Sequence, residues 1–576
     1  MSESPPQSLD PRLPPLIFAA AVIGHCVVLN VLGFPTPGGP TADANVYLEL
    51  AQGLWRDGTY GTRVAITYPP LYPMVLAPTF AIASNALQFA AIYTLHGLFL
   101  ALGTLACLPM LTEHLGRQRA WLALALVQFA GGATLHGYNT QTEPLFTALL
   151  TGAVGLAWSA WSRPRWWLWP AIGLLAGLAV CTRKMGLVLP LALGVVLLID
   201  VLAWIRGRGP NPLGRAALMG LGLAVGLAPD HIADALHGGQ VLPYGEGAAS
   251  SHLSAGLRAA ASLDTAFLMT QIGLRHVAYI AAATLGAPLV IGAAMTRMKA
   301  PKPPLALQRV VELVALATAG SIAMTTLHMT RYWLRPARVG WDLYPRYIDP
   351  VEPALLLVGL AAAVWLLASR PATHWRARVL PVVPWFGLAM LGFVLSGPLN
   401  RTRGGRLLRT PELEKRLKAL VDGLEIIAPW LFVGIGALLL IWWLRRHATE
   451  RTGQLTHLAL AVAVSWAISF HSPLSRLMHP PRTPAIMSAT SLLDSPRAHL
   501  AVVVQKPGAS SREYYEPAFR SDHQVWFISK KEIGAWTKAH PAGYVLYLKG
   551  DPKLTGLDLR QRQARWLIYR ASPEAK

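Results

Sequence analysis

Charged residues are scarce in this chain. Only 14% of its 576 residues are Asp, Glu, Lys or Arg, where a soluble globular chain carries roughly 25%. Spread over a soluble body of this size, so few charges would leave most of the surface apolar. A 53% share of hydrophobic residues and a mean hydropathy of +0.39 point the same way. Both a soluble enzyme and a disordered chain are excluded on these grounds. What they leave is a polytopic membrane protein whose apolar surface faces lipid.

Acidic residues are scarcer still, 29 against 51 basic, for a formal charge of +22. Such an excess can serve nucleic acid, anionic lipid or topology. Here much of it sits in short loops between apolar runs, so topology and lipid phosphate account for it without nucleic acid. The three cysteines, Cys26, Cys107 and Cys181, each fall inside or at the edge of an apolar run. No spacing suggests a disulfide or a metal site, and they read as small buried hydrophobes. Internal repeats and low-complexity segments are missing. The run at residues 16–34 exceeds the roughly 7–15 residues of a signal core, and its flank sets Arg12 against Glu3 and Asp10. It reads as a retained first span.

A span needs roughly 20 mostly apolar residues, which predicts about thirteen of them. They fall near 16–34, 86–111, 120–136, 143–160, 166–181, 186–205, 214–230, 276–296, 310–327, 353–369, 379–396, 428–444 and 455–472. One alternate set of loops is compact and basic, with Arg117 and Arg119, Arg163 and Arg165, and Arg206, Arg208 and Arg215 among its residues. Those are expected to be cytoplasmic, which puts the N-terminus inside and the C-terminus outside. Two outer loops break the pattern. Residues 328–352 carry Arg331, Arg335, Arg338 and Arg346, and 397–427 are also basic. Either the span count slips there or these charges meet an anionic partner outside. Beyond residue 480 the apolar runs shorten to strand length at 499–504, 524–528, 544–548 and 565–569. Ser529 and Glu532 form a capping-box pattern opening a helix over 530–539. The expected domains are therefore a transmembrane unit, 1–479, and a small extracytoplasmic α/β unit, 480–576.

The first outer region, 35–85, is the most informative. Pro35, Pro37, Gly38, Gly39 and Pro40 stop the first span, and Asp43 precedes a helical pattern. Val46, Tyr47, Leu50, Leu54 and Trp55 share one face, with Glu49, Gln52 and Arg56 off it. That is an amphipathic helix lying in the interface. The proline-rich stretch 67–78 follows, with Tyr68 and Tyr72 as amphipathic rings. Asp43 sits near the membrane plane, where a carboxylate is costly unless used or paired; it also suits a plain N-cap. The second outer loop ends in Glu143-Pro144 at the head of a span, an ordinary helix start. Two carboxylates at one depth on one side can also act as a base and a charge-balancing partner.

With these residues in view, the chain resembles the GT-C integral-membrane glycosyltransferases, in particular the aminoarabinose transferase and protein O-mannosyltransferase branch. The likeness rests on Asp43 with Tyr47 after span one, on the Tyr-Pro-Pro-Leu-Tyr-Pro run from Tyr68 to Pro73, on Gln141-Thr142-Glu143-Pro144, and on Tyr344-Pro345-Arg346-Tyr347-Ile348-Asp349-Pro350. It implies a polytopic α-helical fold of about thirteen spans with an outer α/β tail. It also implies a sugar donor on polyprenyl phosphate, a product formed outside, and Asp43 as the essential carboxylate with Glu143 as the second acid. Some relatives carry a further first-loop acid that joins a metal site. Residues 66–73 hold none, so no metal or other cofactor is expected. Ala44 follows Asp43 where O-mannosyltransferases have Asp-Glu, which favours a lipid or envelope glycan over protein as acceptor.

The leaving phosphate needs fixed donors, and arginine grips phosphate in two places. Candidates are Arg183, Lys184, Arg338 and Arg346, beside Tyr47, Tyr68 and Tyr347; headgroup contact is the alternative for each cation. The loop 231–275 contains His231 and His237, six apart and on no shared helix face. A flexible loop over lipid substrate suits it better than a metal site. The competing function is a transporter or flippase of a lipid-linked sugar, which would put acids near the bilayer midplane in repeated halves. A bacterial plasma membrane is the expected location.

Overall fold

The computed structural model describes residues 12–33, 42–60, 68–82, 84–138, 140–208, 210–236, 263–284, 286–296, 303–333, 345–368, 455, 458–459, 461–463, 465, 499–504, 524–548, 557–563 and 566–571. Helix α1 (Leu13–Gly33) buries Phe18, His25 and Leu29 and turns Leu16, Ile23 and Val31 outward. Large exposed apolar side chains recur along α10 (Val188–Ile205) and α11 (Leu213–Gly226), with Leu191 at 67% and Leu221 at 61%. Such faces belong against lipid. Seven helices among the described residues are long and apolar enough to cross a membrane, or eight if one bent pair makes a single span. The chain is an integral membrane protein.

Several expected spans are broken. The run 86–111 divides into α4 (Asn85–Leu105) and α5 (Leu108–Leu115), where Pro109 opens the second helix. The run 120–136 becomes α6 (Arg117–Val127) and α7 (Gly131–Gly137), bent by 49°. The segment 276–296 becomes α13 (Leu263–Ala283) and α14 (Ala287–Thr296); Gly286, at φ 84, makes the turn between them. The loop expected over 231–275 is correspondingly shorter, because α12 (Ala228–Leu236) and α13 take both its ends. Helices α8 (Glu143–Ser162), α9 (Leu168–Thr182), α15 (Leu305–Trp333) and α16 (Glu352–Ala368) match expected spans to within a few residues at most ends. The spans at 379–396 and 428–444, most of 455–472 and the basic loop 397–427 lie outside the described residues.

Helix α2 (Ala42–Asp57) corrects the amphipathic expectation. Val46, Tyr47 and Leu50 are buried as the pattern required, but so are Leu48, Ala51 and Glu49. The first half of α2 is enclosed on most sides, and only its far end, with Trp55 at 49%, is open. What encloses it is α3 (Leu71–Leu76) and the 3-10 turn Ala77–Ala81, folded back from the proline-rich stretch.

Helix α9 is held by backbone-close contact with α11. Lipid gives no hydrophobic drive for helix association, so small residues that let backbones approach carry the packing. A Cβ on Gly177 would lie 2.5 Å from the Leu223 carbonyl oxygen, and one on Gly226 would press on the Leu174 carbonyl. Gly177→Val should therefore separate α9 from α11 and lower the thermal midpoint in detergent, at a cost of about 1–3 kcal/mol for overpacking. An unchanged midpoint would show that this interface does not matter to stability.

The C-terminal strands β1 (His499–Val504), β2 (Gln524–Ser529), β3 (Tyr544–Leu548), β4 (Leu557–Gln563) and β5 (Trp566–Ala571) form one sheet of order β2-β1-β3-β5-β4. The β2, β1 and β3 strands are parallel, and β5 and β4 join antiparallel. Strand β4, polar at Asp558, Arg560, Gln561, Arg562 and Gln563, has no apolar run to betray it. The Ser529 side chain of the expected capping box lies outside the described residues. A 3-10 turn occupies Lys530–Glu532, and helix α17 (Ile533–Ala539) starts at Glu532 without a side-chain cap. Ile533 and Trp536 pack on Ala501, Val503, Val545 and Tyr569. The expected boundary near residue 480 lies outside the described residues.

Candidate active site

The head of α8, the tails of α7 and α9 and the head of α16 meet at one end of the helical bundle. Glu143 opens α8 and is 1% exposed. Arg183 follows the last turn of α9 with an extended backbone (φ −167, ψ 158) and is 5% exposed. Its Nη1 lies 3.2 Å from Glu143 Oε1. Arg346, on the 3-10 turn Pro345–Tyr347, donates from Nε to the same Oε1. Two guanidinium groups thus converge on one buried carboxylate. A buried charge needs such partners, and breaking one side costs several kcal/mol.

The convergence leaves cation in excess at Glu143 itself. Arg183 Nη1 stands in the ion pair without hydrogen-bond geometry, and both it and Glu143 Oε2 are buried atoms with no hydrogen-bond partner. The Arg183 guanidinium lies 4.9 Å over the Tyr347 ring and 5.7 Å from that of Phe146, which holds its plane by cation–π attraction. Tyr347 in turn meets the His328 ring at 5.0 Å. An arginine fixed in place with an orphaned buried donor suits an anion with several oxygens.

Beside this cluster lies an aromatic wall. The Tyr47 ring on α2 packs edge-on to Tyr68 at 5.0 Å and to Tyr72 at 5.4 Å. The Tyr72 hydroxyl is 2.9 Å from His96 Nε2, and His96 Nδ1 donates to the Gly137 carbonyl at 2.6 Å. These contacts tie α2 through α3 and α4 to the end of α7. Asp43 is the second residue of α2, one helical turn before Tyr47, so the backbone that bears it belongs to this wall.

The expected residues therefore divide. Glu143, Arg183, Arg346 and Tyr347 are brought together. Tyr47 and Tyr68 stand in the adjoining wall. Lys184 is half-buried in the 3-10 turn Lys184–Leu187, next to Arg183. Arg338 and the Asp43 side chain lie outside the described residues. Sequence reasoning missed His96, Tyr279 and Glu352 and gave no role to His136 or Asp349. His136 Nε2 donates to Asp349 Oδ2 at 2.8 Å, and Tyr279 donates to Oδ1 at 2.9 Å. The available signal was the rarity of ionisable residues in apolar runs, which marks them for use.

The opposite end of the bundle holds a second buried ionic group. Arg309 on α15 meets Asp200 at 2.5 Å and Glu312 at 2.7 Å, and Trp161 donates to Asp200 at 3.3 Å. In that group two carboxylates share one cation, the reverse of the Glu143 cluster, where two cations share one carboxylate. Among the described residues, no three His, Cys, Asp or Glu side chains gather as a metal site would require.

No protein-family model and no curated protein matches the sequence. Solved structures of similar fold include two of one protein. ArnT from Cupriavidus metallidurans in the apo state is 14% identical, with a TM-score of 0.52 over 97% of this chain and 98% of that one. The same protein bound to undecaprenyl phosphate is 15% identical, with a TM-score of 0.51 over the same shares. The chain shares the fold of these ArnT structures.

Proposed function

We propose that this chain, which has the ArnT fold, is a glycosyltransferase. It moves a monosaccharide, hexosyl or pentosyl, from a polyprenyl-phosphate donor to an extracytoplasmic acceptor. The observation that carries the reading is the buried Glu143 carboxylate bracketed by Arg183 and Arg346. It is supported by the similar fold's having been solved with undecaprenyl phosphate bound. In this reading an acceptor hydroxyl attacks the anomeric carbon, and the bond from that carbon to the phosphate oxygen breaks. The phosphate leaves with the electron pair, through an oxocarbenium-like transition state. Asp43 accepts or holds the hydroxyl proton. Arg183 and Arg346 meet the charge that grows on the phosphate, with Lys184 and Arg338 as further cations. Glu143 balances and aims the two arginines, and Tyr47, Tyr68 and Tyr347 line the path. The reading assigns no metal or other cofactor.

The site end of the bundle is then extracytoplasmic, with the N-terminus inside, the α/β unit of 480–576 outside and a bacterial plasma membrane as the host. A lipid or envelope glycan is the acceptor of choice, with Ala44 in place of a second acid. The test is purified protein in lipid nanodiscs with a labelled polyprenyl-phosphate sugar and an envelope-lipid extract. Release of free polyprenyl phosphate with label passing to an acceptor is expected, in the presence of EDTA as in its absence. Movement of intact donor across a sealed bilayer, with no release, would replace the enzyme by a flippase.

A further inference from the structure

The turn that carries Arg346 cannot hold itself. Pro345–Tyr347 and Asp349–Val351 are 3-10 turns of three residues each, and single turns of helix have no stability of their own. An arginine on such a turn loses about 2 kcal/mol of rotamer freedom when fixed. Something outside the turns must set its position.

That support is α7. At its start, the Gly132 N–H donates to Glu352 Oε2 at 2.8 Å, and the Gly131 N–H donates to Ser465 Oγ at 2.9 Å. Ser465 in turn donates to the other oxygen of Glu352. A Cβ at Gly132 would lie 2.5 Å from Glu352 Oε2, so glycine is what lets the carboxylate reach the amide. At the end of α7, His136 donates to Asp349. Tyr279 donates to the second oxygen of Asp349 from α13. Asp349 and Glu352 are each 1% exposed. Two acids on the short stretch that follows Arg346 thus fasten it to both ends of one helix, and the next helix begins with Glu143.

We infer that Asp349, gripped by His136 and Tyr279, is a positioning residue for Arg346: it sets the turn that aims this guanidinium at Glu143 and at the donor phosphate. The inference rests on the reading of Arg346 given under the proposed function. Asp349 does not itself touch substrate. Its effect on phosphate binding passes through Arg346 and vanishes when Arg346 is gone.

A double-mutant cycle tests this. Undecaprenyl phosphate binding to the full chain in nanodiscs is titrated by native mass spectrometry for wild type, Asp349→Asn, Arg346→Ala and the double variant. Each single change is expected to weaken binding about tenfold, within the range of couplings between residues of one network. The double variant is expected to bind no more weakly than Arg346→Ala alone. Full additivity, about a hundredfold, would mean that Asp349 acts on the fold and not through Arg346, and would overturn the inference. Wild-type binding by Asp349→Asn beside weakened Arg346→Ala overturns it too, and leaves the donor site standing. Wild-type binding by Arg346→Ala removes the donor site itself and the inference with it. Where Asp349→Asn fails to fold, His136→Gln takes its place in the cycle with the same expected non-additivity.

Discussion

Asp43→Asn should lower turnover by about 10²–10⁴-fold, the usual contribution of a positioned general base, while leaving the protein as abundant and as stable as the wild type. The two halves of that expectation separate the rival roles of the residue. Asp43 is the second residue of α2, past the cap position, where a carboxylate gains only about 0.3–1 kcal/mol from the helix dipole. A role as a helix starter is therefore little moved by the substitution, and a proton-accepting role is lost, because an amide cannot take the hydroxyl proton. The first half of α2 is enclosed by α3 and the following 3-10 turn, so the helix does not depend on one side chain to persist. Turnover is measured with labelled donor, abundance by quantitative blotting of membranes, and stability by thermal midpoint in detergent. Wild-type turnover in an equally abundant Asn variant would remove Asp43 from the chemistry.

Glu143→Ala should act in the opposite order, on stability first. Removing this carboxylate leaves the buried Arg183 and the half-buried Arg346 near each other without their common counter-ion. Removing one partner of a buried pair typically costs about 3–5 kcal/mol, and here two cations lose their partner together. Helices α8 and α9 and the turn bearing Arg346 meet through this carboxylate, so the thermal midpoint should fall by several degrees and donor turnover should be lost. Glu143→Gln keeps the shape and should still destabilise, since an amide does not balance two guanidinium charges. A Glu143→Ala protein that melts like the wild type would mean that the arginines are neutralised by another group, and that Glu143 is no more than a helix start.

Much of this site was legible in the sequence, and the limits have physical causes. Apolar runs bounded by Arg and Pro located most of the described long helices, because lipid requires such runs. Breaks inside runs were hidden: Gly286 and the α6–α7 bend change direction without changing hydropathy. The burial of Glu49 was hidden as well, since the periodicity of α2 marks one apolar face but not what folds back over the other. Glu143, Arg346 and Tyr347 were named from motifs and Arg183 as a cation beside a span end, yet their pairing was not, because residues 143, 183 and 346 meet only once two helices and a turn pack. His136 and Asp349 sat inside motifs already noticed, and only their 2.8 Å contact gives them a task. Strand β4 escaped because edge strands carry polar residues on purpose.

The measurement that bears most directly on all of this is the position of a bound polyprenyl phosphate, by cryo-electron microscopy of the protein in nanodiscs with undecaprenyl phosphate. The account predicts the phosphate within ion-pair distance of Arg183 and Arg346, on the side of α8 that faces the first turn of α2. A phosphate lodged beside Arg309 at the other end of the bundle, or midway along the spans, would contradict it.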